Sequence, residues 1–262
     1  MCIRDRPKPF SVSLTAKYHE GPLCFSKDGK QLFFTQNTLV KDKTSRKEKY
    51  IRRLRILKAE KNGDEWSKVT NLPFNNDDID DCHPALTADG KTLIFASSRA
   101  GGFGGMDLYK SELVGKQWST PVNLGAQVNT AGNDLFPFIH EDGTLYYASN
   151  GREGEGGLDL FSVDRANGQL GTPINLGVPM NSEKDDFGLI LNPEKTSGYF
   201  SSSRMNGQGK DDIYYYMLHD NVGTTAAAPT MLTTDICVYD EATEERLSNV
   251  MVKIMKLSLI HI

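Results

Sequence analysis

The chain has 262 residues, 38% of them hydrophobic and 24% charged, with a formal net charge of −4. This is the composition of a folded globular protein with enough apolar material for a large core. The mild acidity argues against nucleic acid as a partner, which calls for a basic face, and no run of eighteen apolar residues is present to span a membrane.

In chain order, residues 1–6 (MCIRDR) fit nothing that follows and have no apolar region behind them, so no secretory signal is visible. They and residues 257–262 resemble translated sequencing-adapter fragments. Both hexapeptides are therefore expected to be non-native tails, with both true termini missing. Between them one phrase repeats. Phe95-Ala96-Ser97-Ser98-Arg99 leads to Gly104-Gly105-Met106-Asp107-Leu108-Tyr109. Tyr147-Ala148-Ser149-Asn150-Gly151-Arg152 leads to Gly156-Gly157-Leu158-Asp159-Leu160-Phe161. Phe200-Ser201-Ser202-Ser203-Arg204 leads to Gly209-Lys210-Asp211-Asp212-Ile213-Tyr214. The Asp recurs at 107, 159 and 212, spacings of 52 and 53. A period near fifty residues marks stacked supersecondary units such as propeller blades.

A more worn copy precedes these three. Trp66 aligns with Trp118, and Asn71-Leu72 with Asn123-Leu124 and Asn175-Leu176. Ser26–Lys30 matches Thr87–Lys91 at a spacing of 61, so this unit carries about nine extra residues. The surplus, between Asn37 and Arg52, is rich in Lys and Arg and reads as a lengthened surface loop. The units are residues 18–76, 77–130, 131–182 and 183–216, within a propeller region of 17–220.

Each unit parses as four short strands. In the second, 83–86, the tight turn Asp89-Gly90 and the β-branched, aromatic run 92–96 form a hairpin. After a Gly-rich loop come 106–111 and 118–124, where Pro121 fits an edge strand. Residues 221–234 read as a linker. Residues 235–256 alternate on both sides of a polar turn and read as a hairpin, the start of a β-sandwich. The expected fold is all-β: four four-stranded blades, an incomplete ring, plus that first hairpin. An isolated piece of an incomplete ring is expected to expose two unpaired blade edges, which invites aggregation.

The candidate site residues are Arg99, Arg152 and Arg204, after the second strands, and Asp107, Asp159 and Asp212, before the third. They form either a charged ring at one mouth of the propeller or a loop-closing ion pair inside each blade. Repetition in every blade favours the structural role. Asp77, Asp78, Asp80 and Asp81 are the densest acidic cluster, but their spacing does not match a calcium loop. The Gly-rich loops lead into strands rather than the helices a phosphate loop needs. Cys24 and Cys82 fall in first strands and read as buried thiols. His19, His83 and His140 occupy or neighbour first strands, and no Gly-x-Ser-x-Gly elbow is present. No catalytic, cofactor-binding or metal-ligating residue is singled out, and no cofactor is expected.

Lys17-Tyr18-His19-Glu20-Gly21-Pro22, Phe25–Lys30 and Leu32–Thr35 resemble a blade of TolB-like, WD-type propellers in Bacteroidota envelope proteins. So do Asp89–Ser97, Pro121–Gly125 with Val128-Asn129-Thr130, and Asp185–Gly188 with Gly198–Ser202. The order of propeller then hairpin is similar to OmpA-family proteins of the PorE type, where a carboxypeptidase-regulatory-like sandwich follows. The resemblance implies a cell-envelope location on the periplasmic side of the outer membrane, envelope proteins as partners, and a link to type IX secretion. Peptidoglycan would be bound only through a domain missing from this chain. Two departures stand out: Asn192–Thr196 lacks the Asp-Gly turn, and Arg55 stands where the first unit should carry the Asp. The expected function is a non-enzymatic interaction scaffold; the alternatives are a propeller enzyme acting on glycan or peptide, or a TolB-like periplasmic adaptor.

Overall fold

The computed structural model describes residues 10–11, 14, 20–44, 48–166, 169–205, 207, 209–219 and 235–239. Those residues are all-β, in four antiparallel sheets that follow one another as propeller blades. Blade I is β1 (Glu20–Phe25), β2 (Gln31–Lys41), β3 (Tyr50–Asn62) and β4 (Glu65–Asn71). Blade II is β5 (Asp81–Leu86), β6 (Thr92–Ser97) and β7 (Asp107–Val114), edged by the short β8 (Gln117–Trp118) and β9 (Val122–Asn123). Blade III is β10 (Asp134–Ile139), β11 (Leu145–Ser149), β12 (Asp159–Val163) and β15 (Ile174–Asn175), with a side hairpin of β13 (Arg165–Ala166) and β14 (Gln169–Leu170). Blade IV is β16 (Asp186–Leu191), β17 (Ser197–Ser202), β18 (Asp212–His219) and β19 (Asp235–Tyr239).

The first strands β1, β5, β10 and β16 lie side by side in that order, and no comparable packing links β16 back to β1 among the described residues. Three apolar layers join the blades. Phe33, Ile56, Leu93, Phe95 and Tyr109 fill the first. Ile94, Leu108, Val128, Leu145, Tyr147 and Phe161 fill the second. Tyr146, Leu160, Met180, Phe200, Tyr214 and Tyr216 fill the third. Blades II and III thus spend both faces of their alternating strands, as a sheet stacked between two others must.

The turns from first to second strand share one geometry. Gly29, Gly90, Gly143 and Lys195 occupy the same place, with φ of 67°, 70°, 92° and 59°. Their amides donate to the carbonyls of Ser26, Thr87, His140 and Asn192 at 2.8–3.0 Å. In the first three turns Asp28, Asp89 and Asp142 accept from the amide two residues on, at 3.0 Å. Blade IV has lost that Asp, and Asn192 Oδ1 substitutes by accepting from the amides of Thr196 and Ser197.

Three expectations are corrected. The basic insertion of the first unit is strand rather than loop: Asn37 to Lys41 pair residue by residue with Leu54 to Tyr50, lengthening the β2–β3 hairpin. The single strand 118–124 is two short ones broken at Pro121, β8 closing a hairpin and β9 pairing with β7. Residues 235–239, read as the opening of a sandwich, pair with β18 as the outer strand of blade IV. The rest of the expected hairpin, 240–256, lies outside the described residues, as do the two hexapeptides.

Candidate functional site

The repeated residues meet at one end of the blades, where the loops from second to third strand emerge. Strand register aligns Asp81, Ser97 and Asp107 in a row across blade II. The corresponding rows are Asp134, Ser149 and Asp159 in blade III and Asp186, Ser202 and Asp212 in blade IV. All but Asp212 are at most 1% exposed. Blade I replaces the row with Glu20, Gln36 and Arg55.

The Asp before each third strand anchors the loop that precedes it. Asp107 Oδ2 accepts from Phe103 N at 2.6 Å and Asn123 Nδ2 at 2.8 Å, and its Oδ1 accepts from Gly104 N at 3.1 Å. Asp159 accepts from Gly156 N at 3.2 Å, and Asp212 from Gly209 N at 3.1 Å. Five residues upstream of each Asp stands a glycine, Gly102, Gly154 or Gly207, where a methyl group would collide with that carboxylate. The Gly-rich loops therefore coil around a carboxylate of their own blade.

The arginines do not pair with these aspartates. Arg99 Nη2 donates to Asp81 Oδ2 at 2.7 Å and to the Phe74 carbonyl at 3.2 Å. Arg204 donates to Asp186 Oδ1 at 2.7 Å and to the carbonyls of Pro179 and Met180 at 3.1 and 3.0 Å. Each guanidinium ties the segment arriving from the previous blade to the start of its own first strand. The ion pair expected inside each blade exists in blades II and IV, with the first-strand Asp as its partner.

Blade III departs from this. Gly151 moves Arg152 one residue further along, and its Nε donates to Tyr147 Oη at 2.8 Å. Its Nη2 donates to the Val128 carbonyl at 3.0 Å. The phenol explains the change. Blades II and IV place Phe95 and Phe200 in the second strand with Tyr109 and Tyr214 in the third, whereas blade III reverses this to Tyr147 and Phe161. Asp134 is left with no guanidinium among the described residues, and its Oδ1 has no hydrogen-bond partner. Burial pushes its carboxyl above the ordinary range, against hydrogen bonds from Ser149 and Thr130, and the nearby Asp107 charge adds to the rise.

Three asparagines complete the network and were missed in the sequence. Asn75, Asn129 and Asn181 each hold both backbone groups of one third-strand residue, the one directly after Arg55, Asp107 or Asp159. Asn129 Oδ1 accepts from Leu108 N at 2.7 Å while its Nδ2 donates to Leu108 O at 2.9 Å. Asn181 does the same to Leu160, and Asn75 to Ile56. The recurrence of Asn129 and Asn181 at a spacing of 52 was the available signal.

The acidic cluster is dispersed over cations. Asp77 pairs with Arg55, Asp80 with Arg53 at 3.4 Å, and Asp81 with Arg99. No group of metal-ligating side chains occurs among the described residues. Cys82 is buried, while Cys24 is partly exposed, with a thiol pushed up to about 12 by burial. At the opposite end, His140 Nδ1 lies 2.9 Å from Asp142 Oδ1, and Asp142 pairs with Lys195. Burial works against the Asp142 charge, yet hydrogen bonds from Lys195, the Thr144 amide and His140 hold it below the ordinary carboxylate range. Along the inner strands His83 stacks on Phe136 with ring centroids 3.8 Å apart, and Phe187 packs tilted against Phe136 at 4.7 Å. Burial pushes the His83 imidazole down to about 4.

No family model and no curated protein matches the chain. Among solved structures it is similar to TolB from Acinetobacter baumannii, at 14% identity and a TM-score of 0.47, covering 89% of this chain and 44% of that one. It is also similar to a putative TolB from Agrobacterium tumefaciens, at 11% identity and 0.45, covering 88% and 80%. A puromycin-hydrolyzing peptidase from Mycobacterium tuberculosis aligns at 13% identity and 0.44, covering 87% and 31%. The chain thus spans less than half the length of the first and third of these.

Proposed function

We propose that the chain is a non-enzymatic protein-interaction propeller of the bacterial cell envelope. One observation carries this reading: the repeated charged residues are consumed inside the blades, while the loops they anchor present apolar side chains outward. Phe103 is 50% exposed and Met205 73% exposed, each on a loop from second to third strand. Large apolar groups held out on anchored loops suit a protein partner. The resemblance in sequence to TolB-like propellers of OmpA-family envelope proteins supports a periplasmic setting, with outer-membrane anchoring and type IX secretion as the associated roles. Peptidoglycan binding is placed on no residue of this chain.

A hydrolytic reading has one feature in its favour, the unrepeated His140–Asp142–Lys195 group. Its members, however, bond to one another, and Lys195 Nζ also donates to Thr144 Oγ1 at 3.1 Å. That is how a latch between blades III and IV is built. The test is site-specific photo-crosslinking from position 103 in envelope preparations. A defined protein is expected to be captured, and Met205→Asp should weaken its binding to the purified chain without moving the melting temperature. Turnover of a glycan or peptide substrate, abolished by one carboxylate substitution, would overturn the proposal.

A further inference from the structure

The far half of the β2–β3 hairpin has no counterpart in blades II to IV. There the second strand ends at the row residue, Ser97, Ser149 or Ser202, whereas β2 runs five residues past Gln36 to Lys41. The register with β3 holds throughout, Asn37 to Lys41 on Leu54 to Tyr50, and Asp42 N donates to Lys49 O at 2.8 Å beyond it. At an antiparallel rise of about 3.4 Å per residue, this arm stands about 17 Å beyond the rows of the other blades.

The two faces of the arm differ. Alternation puts Leu39 and Lys41 on the same face as their partners Arg52 and Tyr50. Nearer the blade that face carries Leu54 and Ile56, which pack with residues of blade II. Beyond Leu54 all four side chains are exposed, Leu39 to 45% and Tyr50 to 54%. On the other face Val40 is buried and Ile51 and Arg53 are half-buried. Tyr50 Oη donates to Glu48 Oε1 at 3.0 Å, which steadies the exposed ring.

Residues 41–55 hold eight lysines and arginines against Asp42 and Glu48, in a chain of net charge −4. What these cations take is visible within the chain. Arg55 pairs with Asp77, Arg53 with Asp80 at 3.4 Å, and Lys43 with Asp77 at 3.6 Å. Arg53 Nε also donates to the Asp77 carbonyl at 3.2 Å. The hairpin thus already grips one acidic segment, residues 77–80. Its exposed face sets apolar side chains between cations, which complements a segment of acidic and apolar residues. A bilayer fits less well, because the tip carries Asp42, Lys43 and Thr44 and the apolar groups lie on the strands behind it.

We propose that this face of the arm docks a partner protein through an extended segment in which Asp or Glu alternates with apolar residues. The carboxylates meet Lys41 and Arg52, and the apolar side chains between them cover Leu39 and Tyr50. This adds a second surface to the interaction reading and does not rest on the loop tips.

The experiment is fluorescence anisotropy of a labelled peptide alternating Glu with Leu, titrated with the purified chain at physiological and at raised salt. Saturable binding that weakens as salt rises is expected. Lys41→Glu and Tyr50→Ala should each weaken it about ten-fold, the loss of a typical interface anchor. Lys116→Glu, the same charge change in the β7–β8 turn, should leave it unchanged. All three side chains are exposed, so the melting temperature should not move. Should Tyr50→Ala lower it, Leu39→Ser probes the same patch. A peptide alternating Lys with Leu should not bind. The proposal is overturned if the Glu–Leu peptide fails to bind or if the arm variants bind it as the parent does. It is equally overturned if polyglutamate or heparin binds as well and ignores Tyr50→Ala, or if phosphatidylglycerol vesicles bind through these residues and the peptide does not. Crosslinking from position 103 is untouched by any of these results, so the two readings fail separately.

Discussion

Asp107 and Asp159 occupy the same place in successive blades, yet their removal should cost very different amounts. Asp107→Ala deletes an acceptor serving Phe103 N, Gly104 N and Asn123 Nδ2, at 2.6, 3.1 and 2.8 Å. A hydrogen bond to a charged group contributes about 1.5–3 kcal/mol. Water can replace the acceptor at the exposed loop amides, so the low end applies, and the three together come to about 4 kcal/mol. Asp159 offers much less. Its bond from Gly156 N is long at 3.2 Å, its Oδ1 has no partner, and burial pushes its carboxyl above the ordinary range despite the Gly156 and Glu155 amides. Asp159→Ala should cost about 1 kcal/mol. For a domain of this size each kcal/mol moves the melting temperature by about 2–4 °C, so Asp107→Ala should lose about 8–16 °C and Asp159→Ala about 2–4 °C. Thermal and urea unfolding followed by far-ultraviolet circular dichroism would measure both. Equal losses, or a larger loss at Asp159, would refute the assignment of the difference to those loop bonds.

Asp134→Asn should stabilise the protein at neutral pH and flatten its pH dependence. Burial raises the Asp134 carboxyl in the folded state, so its contribution is present below the ordinary carboxylate range and is lost as pH rises through the raised value. The gap between variant and parent should therefore widen as urea titrations move from acid towards neutrality; a gap that narrows contradicts the reading. Lys195→Gly should be more stable than Lys195→Ala by about 1 kcal/mol, because a side chain at φ 59° is strained where glycine is free. The usual order, alanine above glycine, would show that the turn relaxes. Gly154→Ala should cost about 1–3 kcal/mol by forcing its methyl group against Asp159, visible in the same melts.

The blades were legible because their signals are local. A 52-residue period, Asp-Gly turns and β-branched second strands follow from short-range stereochemistry. What the period could not show was which of two aspartates at fixed spacing an arginine meets. Arg99 is eight residues from Asp107 and eighteen from Asp81, yet it pairs with Asp81 because β5 and β6 are adjacent and the loop to Asp107 coils away. Blade III was harder still. The inserted Gly151 is visible in the sequence, but its effect depends on Tyr147 lying beside it in space. The outer strand of blade IV was hidden by the intervening segment 220–234, since every other blade draws its fourth strand from nearby in the chain.

The four blades meet one requirement with different residues. The start of each third strand must be anchored and the incoming segment must be tied down. Blade II uses Asp107 with Arg99 and Asp81. Blade III uses Asp159 with Arg152 on Tyr147. Blade I has lost the row and uses Arg53 and Arg55 on Asp80 and Asp77, with Leu54 N donating to Asp80 Oδ1 at 2.8 Å. A role that tolerates such exchange is set by the backbone it must satisfy and not by a ligand it must recognise. On the proposed interaction reading, recognition lies in what the blades do not share: the apolar tips at Phe103 and Met205, and the exposed Ile190, Tyr199 and Ile213 of blade IV. The two differ in one testable respect. The tips sit on loops held by the repeated network, so weakening that network should loosen a partner bound there. The blade IV face is built on strands and should be indifferent to it.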